Sequence, residues 1–121
     1  MSRIAVLITG LVAAVAVAAP SVGAGTTATR LTGVTGPGLT ITLKKAGVKV
    51  KTLRAGKYTI TVSDKSNMHN FRLKGQGLNK QITALAFKGS KTVTVTLKKG
   101  TYTYQCDPHV GQGMKGTFRV T

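Results

Sequence analysis

From residue 39 onward, apolar and polar positions alternate in short runs broken by turn residues. Leu39, Ile41 and Leu43 alternate with Thr40 and Thr42, after a Gly36-Pro37-Gly38 turn. Val48 and Val50 alternate with Lys49 and Lys51, and Tyr58, Ile60 and Val62 with Thr59 and Thr61. A period of two puts each apolar set on one face of a strand. The same period places His69, Phe71 and Leu73 on one face and Arg72 and Lys74 on the other. Val93, Val95 and Leu97 make the next strand, and Tyr102, Tyr104 and Cys106 the one after. Phe118 and Val120 face inward on the last. Residues 25–30 read as a flexible lead and Gly75 to Gln81 as a loop. Ile82 to Phe87 fits an irregular strand or one helical turn. Seven or eight short strands, with turns every 8 to 12 residues, predict an all-β protein built as a β-sandwich.

The start of the chain departs from this pattern. Met1-Ser2-Arg3 is a short positive segment, and Ile4 to Ala19 is almost wholly small or apolar. Val22-Gly23-Ala24 supplies small residues at the spacing of a cleavage site. A secretory signal over residues 1–24 is expected, with Ala19 as the second choice of cleavage position. An uncleaved anchor is the alternative, but about 16 residues is short of the ~20 needed to span a bilayer. Residues 25–121 then form a single domain, large enough to fold without disulfides.

Composition sharpens both expectations. Thr and Val suit strands, and 15 glycines among the 121 residues suit many turns. The single cysteine, Cys106, excludes an internal disulfide. In an exported chain it is left for intermolecular pairing or for ligand chemistry. Net charge is +16, from 18 Lys and Arg against Asp64 and Asp107. With two carboxylates, neither beside a plausible nucleophile in sequence, acid–base catalysis is not expected.

The candidate chemistry lies in Cys106-Asp107-Pro108-His109-Val110-Gly111-Gln112-Gly113-Met114, a Gly- and Pro-bearing loop between two predicted strands. It offers a thiol, an imidazole and a thioether, a donor set suited to copper in both oxidation states. A second imidazole must come from elsewhere, and His69 is the only other histidine. Zinc also takes Cys and His, but structural zinc sites draw on four such ligands. Taken singly, a buried cysteine, a core histidine and a gap-filling methionine are all ordinary. Their conjunction on inward-facing positions points to a metal.

The motif Cys-x2-His-x4-Met, with a His69-Asn70 pair 37 residues before the cysteine, resembles the small blue copper proteins, the cupredoxins. The loop spacing is similar to that of the plastocyanin type, and the resemblance is best from Lys57 to Thr121. It implies a Greek-key sandwich holding one type 1 copper ion. His69, Cys106 and His109 would be the strong equatorial ligands and Met114 the long axial one. Asn70 would tie the two ligand loops together, and Tyr102 and Tyr104 would be core aromatics. The edge of His109 would reach the surface among Val110, Gly111, Gly113 and Pro37, as the exit for electrons. Multicopper oxidases share the resemblance but need several domains and more histidines.

The function so implied is a monomeric, exported carrier of single electrons between a redox donor and acceptor, not an enzyme. It would work in the periplasm, at the cell surface or outside the cell. A copper protein for storage, delivery or scavenging is the alternative. Plant plastocyanins carry acidic patches and an exposed tyrosine before the ligand cysteine. This chain has Gln105 there, so that mode of docking is not expected. The run Lys44, Lys45, Lys49, Lys51, Arg54 and Lys57, with Lys98, Lys99 and Lys115 elsewhere, points instead to partners with acidic docking surfaces or to an anionic membrane surface. The lysines nearest the loop, Lys115 among them, would steer such a partner towards the His109 edge. Nucleic acid is not expected, because no basic-aromatic motif accompanies the charge.

Overall fold

Alternation becomes structure wherever both neighbours of a strand supply an apolar face. The computed structural model describes residues 27–121. The apolar run and cleavage site expected within residues 1–24 lie outside the described residues. Ten strands follow in order: β1 (Thr29–Thr35), β2 (Ile41–Lys45), β3 (Val48–Lys49), β4 (Thr52–Leu53), β5 (Gly56–Asp64), β6 (Phe71–Gly75), β7 (Leu78–Thr83), β8 (Gly89–Leu97), β9 (Gly100–Gln105) and β10 (Lys115–Val120). Among the described residues the only helical segment is a 3-10 turn, Asp107–Gln112.

The strands form two five-stranded sheets, in the orders β3-β2-β1-β5-β8 and β4-β10-β9-β6-β7. The pairs β1–β5 and β4–β10 are parallel, and the others are antiparallel. The sheets pack face to face as a β-sandwich, as the alternation predicts. Tyr58, Ile60, Val62, Val95 and Leu97 are buried from one sheet, and Phe71, Leu73, Tyr102, Tyr104, Phe118 and Val120 from the other. Rings stack in the second layer, Phe71 on Tyr104 at 5.8 Å and Tyr102 on Phe118 at 5.4 Å between centroids. Gly33 lets the layers close here. A Cβ on it would stand 3.0 Å from both the Phe71 ring and a Val62 methyl.

Four expectations are corrected. β1 is a full strand, although its buried face is only Leu31, Gly33 and Thr35. It is held between β2 and β5, so pairing rather than apolar content makes it a strand. Leu78–Thr83, expected as loop and an undecided segment, pairs with β6 across the Gln76-Gly77 turn. A register shift between Phe71 and Arg72 disguises its period. Leu39 is not core: β2 starts at Ile41, and Leu39 is 51% exposed in the preceding turn. Val48 is likewise on the surface, on the short edge strand β3.

The registers also define two ends of the sandwich. Thr35, Asp64, Phe71, Gly89 and Gln105 lie at one end. Thr29, Lys45, Gly56, Leu97, Gly100 and Val120 lie at the other, called the base below.

Candidate metal centre

Two loops at the upper end bring the candidate ligands together. The first runs from β5 to β6. The Asp64 carboxylate accepts from the Ser66 N–H at 3.2 Å, and the Ser66 hydroxyl from the Met68 N–H at 3.1 Å. These local side-chain turns shape the approach to His69. The second loop joins β9 to β10 and is closed by its own backbone. Cys106 N–H donates to the Met114 carbonyl at 3.1 Å, His109 N–H to the Cys106 carbonyl at 3.1 Å, and Met114 N–H to the His109 carbonyl at 3.3 Å. Pro108 starts the 3-10 turn, and Gly113, at φ 84°, ends it in the left-handed region. A proline inside the start and a glycine just past the end is the usual asymmetry of such a turn.

His69, Cys106 and Met114 are buried, and His109 is half-buried. The Cys106 Sγ lies 3.6 Å from His69 Nδ1 and 3.3 Å from His109 Nδ1, and the two Nδ1 atoms are 3.1 Å apart. The rings meet edge to face, 72° between planes. On the far side of its ring, His69 Nε2 donates to the Pro37 carbonyl at 3.3 Å. That contact fixes the tautomer, because the proton on Nε2 leaves the Nδ1 lone pair facing inward.

Each of the three atoms has a lone pair to offer into the space between them, so a cation placed there could be held by all three. An ion at the middle of this triangle would lie about 2 Å from each donor, close to a metal–imidazole bond and a little short of metal–thiolate. The residues therefore fit a metal. Met114 is wholly buried and is bound through its backbone to both Cys106 and His109.

Asn70 locks the loops. Its Oδ1 accepts from the Asp107 N–H at 2.7 Å, and its Nδ2 donates to Asp107 Oδ2 at 2.8 Å and Gln81 Oε1 at 3.1 Å. Its carbonyl accepts from the buried Thr35 hydroxyl at 3.3 Å. Asp107 also accepts from Arg72 Nε at 2.8 Å and Gln105 Nε2 at 3.0 Å. Burial pushes the Asp107 carboxyl up. The hydrogen bonds from Arg72, Gln105 and Asn70, with the Arg72 charge, outweigh it and hold the group below its ordinary value. The carboxylate beside Cys106 is thus held in its ionised form by three side-chain hydrogen bonds.

Sequence reasoning brought His69, Cys106, His109 and Met114 into one region, and the fold does the same. It also named Asn70 as the tie between the loops, but it missed other parts around them. A backbone carbonyl such as that of Pro37 leaves no trace in residue identity. Asp107 stood only as one of two acids, although its place beside the cysteine was the available signal. Leu39, Met68 and Leu85, 51%, 67% and 44% exposed, lie on loops at this end. They add an apolar margin to the exposed Pro37, Gly111 and Gly113 and the half-buried Val110. The basic run Lys44 to Lys57 lies towards the base, whereas Lys115 lies at the metal end, paired with Gln105.

Comparison with known proteins agrees with this geometry. The family model described as copper binding proteins, plastocyanin/azurin family, matches residues 33–121. Plastocyanin of carrot (Daucus carota) is 59% identical over 32 residues, 26% of this chain and 32% of that protein. The match thus spans about a third of that relative's length. Among solved structures, auracyanin of Roseiflexus castenholzii aligns with a TM-score of 0.56 and 24% identity, over 79% of this chain and 99% of that one. Rusticyanin of Thiobacillus ferrooxidans aligns with 0.54 and 21%, over 76% of each chain. These two likenesses establish the fold; the family match and the thiolate–imidazole donor set make the metal copper. The chain belongs to the plastocyanin/azurin family of copper-binding proteins, the cupredoxins.

Proposed function

We propose that this cupredoxin is exported after loss of residues 1–24 and carries single electrons between a redox donor and acceptor. His69, Cys106 and His109 would hold one copper ion, with Met114 as a weak axial ligand. Bound copper supplies a one-electron couple between Cu(I) and Cu(II). The observation that carries the reading is the convergence of three donor atoms, within 4.8 Å of one another, on loops already locked by hydrogen bonds. A site held by its scaffold needs little rearrangement when charge changes. That property favours transfer of an electron over surrender of the ion.

Enzymatic chemistry has little to work with here. Asp107 accepts three side-chain hydrogen bonds, which leaves no free base beside the site. The half-buried His109, with the apolar margin of Leu39, Met68 and Leu85, suits close apolar contact with a redox partner. Lys65, Lys88 and Lys115, on the same end, would meet acidic residues at the rim of such a partner.

Electron self-exchange between the reduced and oxidised protein tests the reading. Fast exchange, with Cu(I) retained against a chelator, is expected of a carrier. Slow exchange with ready loss of Cu(I) to the chelator would make the protein one of copper delivery or storage.

A further inference from the structure

The charge of this protein is polarised along the sandwich. Both acidic residues lie at the metal end, Asp64 paired with Gly89 and Asp107 beside Cys106. The base carries Lys44, Lys45 and Lys49 on the β2–β3 hairpin, then Lys51, Arg54 and Lys57, all exposed. Lys98 and Lys99 join them at the β8–β9 turn. No acidic side chain offsets them there.

This clustering works against the fold that bears it. Lys44 sits directly opposite Lys49 in the β2–β3 ladder. Like charges at such a position destabilise a strand pair. A local conflict that packing does not require marks a functional surface. Electron exchange at the metal does not need it. The nine residues of β5 run from the base to the metal end, roughly 25–30 Å at ~3.3 Å per residue. An acidic redox partner drawn to the base would dock at the wrong pole.

Two further observations indicate what the base meets. β1 enters at this end, where Thr27 and Thr29 line a recess of about 570 Å³ with Lys45, Arg54 and Lys57. Beside it, Val48 is 70% exposed between Lys45 and Lys49, over a second recess lined by Val50 and Leu53. Lysines around an exposed apolar residue suit the boundary of an anionic bilayer, the ammonium groups at the phosphates and the apolar side chain among the lipids.

We infer that the base docks on an anionic phospholipid surface and holds the sandwich upright, with the copper end turned to solution. The inference is independent of the electron-carrier reading, because it requires only the folded domain. The test uses the copper-loaded protein as exported, sedimented with phosphatidylcholine vesicles with or without phosphatidylglycerol. Binding is expected only with phosphatidylglycerol, and the copper-free protein is expected to bind equally well. The triple variant Lys44→Gln, Lys49→Gln, Lys51→Gln should bind at least about tenfold more weakly. A control with the same charge removed from the metal end, Lys65→Gln, Lys88→Gln, Lys115→Gln, should lose far less. Retention of the visible copper band shows that each variant is folded. Equal losses in the two triples would reduce the effect to net charge and overturn the proposal. So would absence of vesicle binding, or tighter capture of the base by a soluble acidic protein or by duplex DNA than by the vesicles.

Discussion

Asn70 and Asp107 are paired reciprocally: the amide oxygen of Asn70 accepts from the Asp107 N–H at 2.7 Å, and its Nδ2 donates to the Asp107 carboxylate at 2.8 Å. The pairing joins the residue after His69 to the residue after Cys106, so two ligands from distant parts of the chain move as one unit. Asn70→Ala would remove both bonds and leave the half-buried Asp107 N–H without its partner. The copper-free variant is expected to lose about 1–3 kcal/mol in urea unfolding. Asn70→Asp should lose more, because it sets a second carboxylate against Asp107. Unchanged midpoints for both variants would remove Asn70 from the role given to it.

Gly36 is the close neighbour of the first imidazole. Its φ is +79°, and a Cβ there would stand 2.9 Å from His69 Cδ2. Gly36→Ala therefore combines left-handed strain of roughly 1 kcal/mol with a push on the ligand ring. The expected result is modest loss of stability with a clear change in the copper spectrum. Loss of stability with an unaltered spectrum would show that His69 does not depend on this contact.

Much of this arrangement can be read in the chain, and the reasons it stops are physical. Where a strand has neighbours on both sides and one face in the core, parity alone orients its residues. Hence Tyr58, Ile60 and Val62, or Tyr102, Tyr104 and Cys106, are buried as their alternation predicts. β1 escapes because its inward face includes Gly33 and Thr35, and its place is set by pairing with β2 and, in parallel, with the more distant β5. Leu39 and Val48 carry the right parity but sit beyond the point where the opposite sheet covers them. The ligands are legible because few residue types can do their chemistry. The Pro37 carbonyl and the segregation of charge between two ends exist only once the strands are registered.

Axial ligand strength tunes the potential of a blue copper site. Met114→Leu removes a weak donor that favours Cu(II), so the potential is expected to rise. Met114→Gln supplies a stronger oxygen donor, so it is expected to fall. Equal potentials for wild type and both variants would leave Met114, wholly buried in any case, as packing alone.

Docking at the metal end should depend little on long-range steering. Lys115, paired with Gln105, is one of few cations there. Charges at the base lie well beyond the ~8 Å screening length at physiological salt. Lys115→Glu is expected to slow association with a redox partner by less than about threefold, with the potential unchanged. A steep fall in that rate with rising salt would return the steering role to the lysines.

The most direct test is the optical and paramagnetic resonance spectrum of the copper-loaded protein beside that of Cys106→Ser. A Cys106 thiolate bound to Cu(II) gives an intense blue charge-transfer band, and the serine variant should lose it while its β-sheet signal persists. A wild type without that band, or a serine variant equally blue, would contradict the ligand set of His69, Cys106, His109 and Met114.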